Sequence, residues 1–220
     1  MNLKILVSNG FTINSKFMKS LSEIETTSRR ASRASGFSWG ISEEVGKSIR
    51  LLEIFNFKGI KNLNDYLNER INKKFENSSL IKRDNKPKKF SYCPILLGIS
   101  FLDQINNLEK YDKINFSNIA YPLLFLSFLS RSSEVIGKKI YFKFDNKEFL
   151  MNINVNIASN LLNENCPNLA KNAEVIFIKN EDNFHEQDWK SLYRLSEQTF
   201  VEESESLKKG AAGAGLTDND

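Results

Sequence analysis

The sequence predicts an α+β fold: an N-terminal helical hairpin packed with a mostly antiparallel β-sheet. Three observations carry this. Apolar and small residues recur at steps of three and four between Leu21 and Phe55, the period of a helix face. Further on, Phe149, Met151, Ile153, Val155 and Ile157 alternate with Leu150, Asn152, Asn154 and Asn156, the period of a strand with one face in water. Helical patterning comes first and strand patterning later, the segregated order of an α+β chain. A length of 220 residues, 40% hydrophobic and 26% charged, suits one globular domain, and 17 Phe supply its core.

Residues 1–17 read as an N-terminal extension with weak strand character, and 18–220 as a single domain. Within that domain 18–76 is helical, 77–91 a basic loop, 92–200 sheet-containing and 201–220 a Gly-rich tail. Ser20 and Glu23 have capping-box spacing, and Leu21, Ile24, Ser28, Ala31 and Ser35 follow on one face. Small residues there let a second helix approach closely, and Gly36 stops the helix. After the turn Phe37–Gly40, Ser38 or Ser42 can cap a second helix with Glu43 and Glu44 in its first turn. Its stripe is Ile41, Val45, Ile49, Leu52 and Phe55. Asn64–Lys74 reads as a third, more exposed helix carrying Tyr66, Leu67 and Ile71. Tyr92–Leu102 is apolar and reads as extended, broken by Pro94 and Gly98. Pro122–Leu129 reads as a buried helix. Lys139–Phe144 and Glu148–Ile157 form a hairpin turned at Asp145–Lys147. A strand at Glu174–Ile178 and a helix at Glu186–Phe200, bearing Trp189, Leu192, Tyr193 and Leu195, complete the chain.

Composition excludes several chemistries. Two Cys cannot build a disulfide framework, and one His rules out any site needing two. His185 lies in a polar stretch and reads as an exposed loop residue. No cofactor loop is present, so no cofactor is expected. The N-terminal run Ile5–Val7 is too short for an export signal, which with reduced cysteines predicts the cytoplasm. The longest apolar stretch, Ile119–Leu129, is well short of the roughly 20 residues that cross a bilayer, so no membrane partner is expected. Net charge is +4, and a stretch of the same charge lies between Ile81 and Lys89. One charged loop is not the broad basic face of a nucleic-acid binder, so nucleic acid is not the expected partner.

Two groups of residues could carry chemistry. The hairpin brings Arg29, Arg30 and Arg33 near Trp39, Glu43 and Glu44. Guanidinium forks bind carboxylate or phosphate, and Glu43 or Glu44 could serve as a general base. The same residues could equally form surface ion pairs, with Trp39 packing the turn. A DNA-binding helix-turn-helix fits poorly, because Glu43 and Glu44 would face phosphates. The second group is the tail from Gly210, whose backbone N–H groups could approach an anion and whose Asp218 and Asp220 offer oxygens to Mg²⁺ or Ca²⁺; a flexible terminus is the alternative. It matches neither a phosphate-binding loop nor a dinucleotide fingerprint. From Glu202 to Asp220 the net charge is −3, against +3 over Arg29–Arg33. A functional tail would therefore fold over the hairpin with Leu216 buried.

Three stretches, Ser20–Glu25, Ala34–Lys47 and Gly213–Asp220, together resemble a bacterial family known only as a domain of unknown function, DUF3726. The resemblance begins near Ser20, which makes Met18 a candidate start. Lys208-Lys209 before Gly210 departs from the family's tail. No activity comes with the resemblance. The expected function is an accessory or binding module for a small anionic metabolite or a protein partner. The alternative is a small enzyme acting on an anionic metabolite, gripped by the hairpin arginines.

Overall fold

A computed structural model describes residues 18–161, 166–179, 181 and 183–199. The described residues fall into two compact units, the first ending at residue 180 and the second beginning at Glu181. The first unit is α+β, as the sequence predicts, with its helices packed on one another and on a six-stranded sheet.

Helix α1 (Leu21–Ala34) starts where the cap predicts: the Ser20 hydroxyl accepts from Glu23 N–H at 3.1 Å. Gly36, at φ 94°, makes the left-handed stop. Helix α2 (Trp39–Ile54) is capped by Ser38, not Ser42, whose hydroxyl instead donates to the Ser38 carbonyl at 2.8 Å. The buried face of α1 matches the predicted one in part, at Ile24 and Ser28. Ser28 and Ser32 are buried, while Leu21 and Ala31 are exposed. The two helices come closest at Gly46, where an added Cβ would lie 2.8 Å from the Glu25 carbonyl oxygen.

Helix α3 runs Gly59–Asn72, five residues earlier at its start than the sequence suggests, with Asn62, Leu63 and Tyr66 buried and Ile60 and Ile71 exposed. Asn56 and Lys58 adopt left-handed backbone (φ 58° and 51°), which turns the chain sharply out of α2. Glu53 reaches forward and accepts the Ile60 N–H at 2.8 Å, supplying the cap that a Lys58 side chain cannot. Tyr66 is fully buried and hydrogen-bonded to Cys93 Sγ at 2.8 Å.

The basic loop contains strand β1 (Asp84–Asn85) and is held by hydrogen bonds. The Glu76 carboxylate accepts from the backbone N–H groups of Lys88 and Phe90, both at 2.7 Å, and of Lys89 between them. Asn85 is buried, with its amide bonded to Lys82 and to the Asn115 carbonyl.

The segment read as extended, Tyr92–Leu102, is instead the beginning of helix α4 (Pro94–Leu108). Pro94 stands at its first position, where a missing N–H costs nothing, so it starts the helix rather than breaking it. Gly98 is there for space: an added Cβ would lie 2.2 Å from Phe128 of helix α5 (Pro122–Ile136). Strand β2 (Lys113–Ala120) precedes α5 and had no clear signal in the sequence.

Strands β3 (Lys139–Phe144) and β4 (Lys147–Met151) form the predicted hairpin. The second strand ends at Met151, however, and does not run to Ile157. Asn152 Oδ1 accepts from Asn154 N–H at 3.0 Å and Asn156 N–H at 3.3 Å, folding the Asn-rich stretch into a turn before β5 (Ile157–Ser159). Asn160 then bonds the Glu148 N–H and the Asn146 carbonyl. Strand β6 is longer than predicted, Leu169–Ile178. The sheet order is β1-β2-β6-β3-β4-β5, antiparallel except for the β1–β2 pair. One face is buried, and helices α4 and α5 pack together over the Phe-rich core that includes it. On the other face Glu174 bridges Lys113 (2.6 Å) and Lys143 (3.3 Å) across three strands.

The second unit contains helix α6 (Glu186–Glu197), begun by His185, which lies exposed. Trp189, Leu192, Tyr193 and Leu195 are all exposed on it, and Trp189 stacks near Phe184 at 5.6 Å between ring centroids.

Two glycines separate packing from propensity. Gly98→Ala should lower stability by about 1–3 kcal/mol through overpacking against Phe128. Gly40→Ala, with nothing within 4 Å of the new Cβ, should raise it by roughly 0.5–1 kcal/mol. Urea denaturation of the two variants checks both signs.

Candidate functional site

The six hairpin residues singled out by the sequence lie on two neighbouring helices, α1 and α2. Arg30 and Glu43 are exposed and make no hydrogen bond or ion pair among the described residues. Arg33 donates to the Phe37 carbonyl at 3.0 Å and lies 5.4 Å from the Trp39 ring centroid. Trp39 is 59% exposed, so it does not pack the turn; Phe37, buried beneath Arg70 at 4.2 Å, does. Arg29 is half-buried against Gly46, with its Nε hidden and unpartnered.

Glu44 is already engaged. It bonds Lys47 at 2.9 Å and also Arg131 of α5, tying the hairpin to the core. Burial pushes its pKa up, but the hydrogen bonds from Lys47 and Arg131 outweigh that and hold the carboxyl below the usual glutamate range. A carboxylate so stabilised is a weak base. Asp218, Asp220 and Leu216 lie outside the described residues, as does residues 1–17. Among the described residues no group of three His, Cys, Asp or Glu could hold a metal ion. No helix there is long and apolar enough to cross a membrane.

Concave sites with converging polar groups lie elsewhere, along α3. A cleft of about 310 Å³ opens where α2 turns into α3 and α5 begins. Asn56, Lys58, Lys61, Asn62 and Asn168 bring amides and ammonium groups to it, over Phe57 and Leu123. Lys61 is paired with Asp65, and Asn62 donates to the Lys58 carbonyl at 2.8 Å. The first turns of two helices border the cleft, adding the positive end of each dipole. Cys166 in its wall has its thiol pushed up to about 12 by burial, so it stays protonated and poorly nucleophilic.

At the other end of α3 a second cleft, about 620 Å³, is lined by Lys73, Lys74, Lys89, Phe75 and Phe90. Glu69 also faces it, its carboxyl held below the usual glutamate range by the hydrogen bonds it accepts from the Lys73 ammonium and the Tyr121 hydroxyl. Asn168 lines both clefts. None of the hairpin candidates lines either one. The sequence offered one faint signal for the first cleft, the run Phe55-Asn56-Phe57-Lys58-Gly59, which is masked by the chain's general richness in Asn and Lys.

Glu44→Gln tests the ion-pair reading. At neutral pH it should cost about 0.5–1 kcal/mol. Because the folded pKa is depressed, the stabilisation is present above the unfolded value, roughly 4.3, and is lost as pH falls through the folded value. The variant's stability should therefore fall less steeply than wild type below about pH 4.5. Equal acid slopes in paired denaturation curves would remove Glu44 from the account.

No curated protein and no solved structure matches the chain. A family match does exist, and it spans α1, α2, α3 and the basic loop, ending just before α4 and not reaching the tail. Over residues 19–92 the chain matches the family described as "Protein of unknown function (DUF3726)".

Proposed function

We propose that this chain is a binding module for a small anionic metabolite, held without catalysis in the cleft between the α2–α3 turn and the start of α5. The observation that carries this reading is the convergence of Lys58 and Lys61 with Asn56, Asn62 and Asn168 on one concave site. Ammonium groups supply charge, and amides supply directional hydrogen bonds to carboxylate or phosphate oxygens. Phe57 and Leu123 give the apolar surface that small-molecule sites combine with a few polar groups. Among the described residues that line the cleft there is no carboxylate or imidazole, and the Cys166 thiol is kept protonated by burial. Asp65, beside Lys61, is the carboxylate that an incoming anion would have to displace.

The reading departs from the hairpin site in a way that one experiment separates. Pyrophosphate and citrate should each raise the melting midpoint of the full chain, as any ligand of the native state does. Lys58→Glu should weaken that binding tenfold or more, since a charged hydrogen bond contributes about 1.5–3 kcal/mol. Arg30→Glu, an exposed change on the hairpin, should leave the shift intact. A shift lost in Arg30→Glu and kept in Lys58→Glu would move the site to the hairpin.

A further inference from the structure

The cleft at the C-terminal end of α3 combines features that the proposed metabolite site does not use. Lys73, Lys74 and Lys89 border it, together with the rings of Phe75 and Phe90. Phe90 is 36% exposed, and the Lys89 ammonium lies 5.3 Å from its ring centroid. The half-buried Phe75 is backed by Tyr66 at 5.1 Å. A flat ring beside an ammonium group is a surface on which a planar heterocycle can stack while its charged substituent is neutralised.

The loop that carries this surface is fixed in advance. Three consecutive backbone N–H groups, of Lys88, Lys89 and Phe90, donate to the one Glu76 carboxylate. Glu76 N–H in turn donates to the Ser91 carbonyl at 2.9 Å, and Cys93 N–H to the Glu76 carbonyl at 2.8 Å. The Phe90 ring and Lys89 are thus presented on a clamped backbone, so a ligand need not order it. Glu69 is the opposing charge. Its carboxylate is already shared between Lys73 and the Tyr121 hydroxyl, which leaves Lys74 and Lys89 to meet an anion. Asn72 and Asn168 add amides that can read a base or sugar edge.

We propose that this cleft binds a nucleotide unit, its base stacked at Phe90 and its phosphate held by Lys74 and Lys89. The unit can come from a free nucleotide or from a single strand of nucleic acid, which offers the same chemistry repeatedly. An acidic peptide would satisfy the lysines and leave the rings unused. The inference goes beyond the metabolite reading and does not rest on it, because the two clefts draw on different lysines.

Binding of the full chain to AMP, to ribose 5-phosphate and to a fluorescent oligo-uridine of about eight nucleotides tests it. AMP should bind at least several-fold more tightly than ribose 5-phosphate, because only AMP carries a base to stack. Phe90→Ala should abolish that preference, and Lys74→Gln or Lys89→Gln should weaken both ligands. All three changes are at exposed positions, and an unchanged melting midpoint without ligand shows that the variants fold. Arg30→Glu, outside both clefts, should leave AMP binding unaltered, and the preference for AMP over ribose 5-phosphate should persist in Lys58→Glu, which separates this site from the other cleft. Tighter binding of the oligonucleotide than of AMP, falling steeply with salt, identifies a single strand as the source; equal or weaker binding identifies a free nucleotide. Absence of binding by both AMP and the oligonucleotide, equal affinity for AMP and ribose 5-phosphate, or insensitivity to Phe90→Ala would each overturn the proposal. So would a tight complex with an oligo-glutamate peptide that AMP does not compete away.

Discussion

The fold of the first unit depends on the ring of Phe125. It lies in the first half of α5 and meets Phe101 of α4 at 5.7 Å, Phe116 of β2 at 5.5 Å and Phe142 of β3 at 5.7 Å, all near edge-to-face. Edge-to-face geometry sets the positive rim of one ring against the negative face of another, which adds orientation to the gain from burial. Two helices and two strands far apart in sequence are fixed about one side chain. Gly98 makes this arrangement accessible by letting Phe128 of α5 press onto the α4 backbone. The position of α5 then decides where its first turn falls, and with it Tyr121 and Leu123, which border the two ends of α3. The clefts are downstream of the aromatic core.

What was legible in the sequence was what is decided locally. The α1–α2 hairpin could be read because Ser20, Gly36 and Ser38 each act within a few residues of themselves. The β3–β4 hairpin could be read because its alternation is local too. Tyr92–Leu102 could not, since a continuous apolar run bounded by Pro94 and interrupted by Gly98 fits a buried strand as well as a buried helix. What chose the helix was packing against α5, a contact across some thirty residues. The overlong second strand failed for the opposite reason. The period-two pattern was real, but Asn152 satisfies two backbone N–H groups itself and so ends the ladder.

The candidate site was hard to read for a related reason. Charge counting drew attention to the hairpin arginines and glutamates because they are close in sequence. In the structure Glu44 is occupied by Lys47 and Arg131, and Arg131 is contributed by α5, which no local pattern announces. The polar residues of the first cleft come from the α2–α3 turn, from the first turn of α3 and from the segment just before β6. Their only shared property along the chain is being Asn or Lys, which is the background composition. The basic loop was legible as charge and illegible as architecture: whether such a loop is loose or rigid turned on a single carboxylate, Glu76.

The two ends of the sheet have a bearing on how the protein behaves when crowded. A long, bare outer strand is a template on which another chain can add itself, the first step toward β-aggregation. Here the outermost strands are the two-residue β1 and the three-residue β5. Beyond β5 the amide of Asn160 occupies the Glu148 N–H and the Asn146 carbonyl, groups that would otherwise invite pairing. At the opposite end Asn85 turns its side chain back on the Asn115 carbonyl. A chain rich in Phe, Ile and Asn has the raw composition of an aggregation-prone sequence, yet its asparagines spend their hydrogen bonds where a neighbouring copy would look for them.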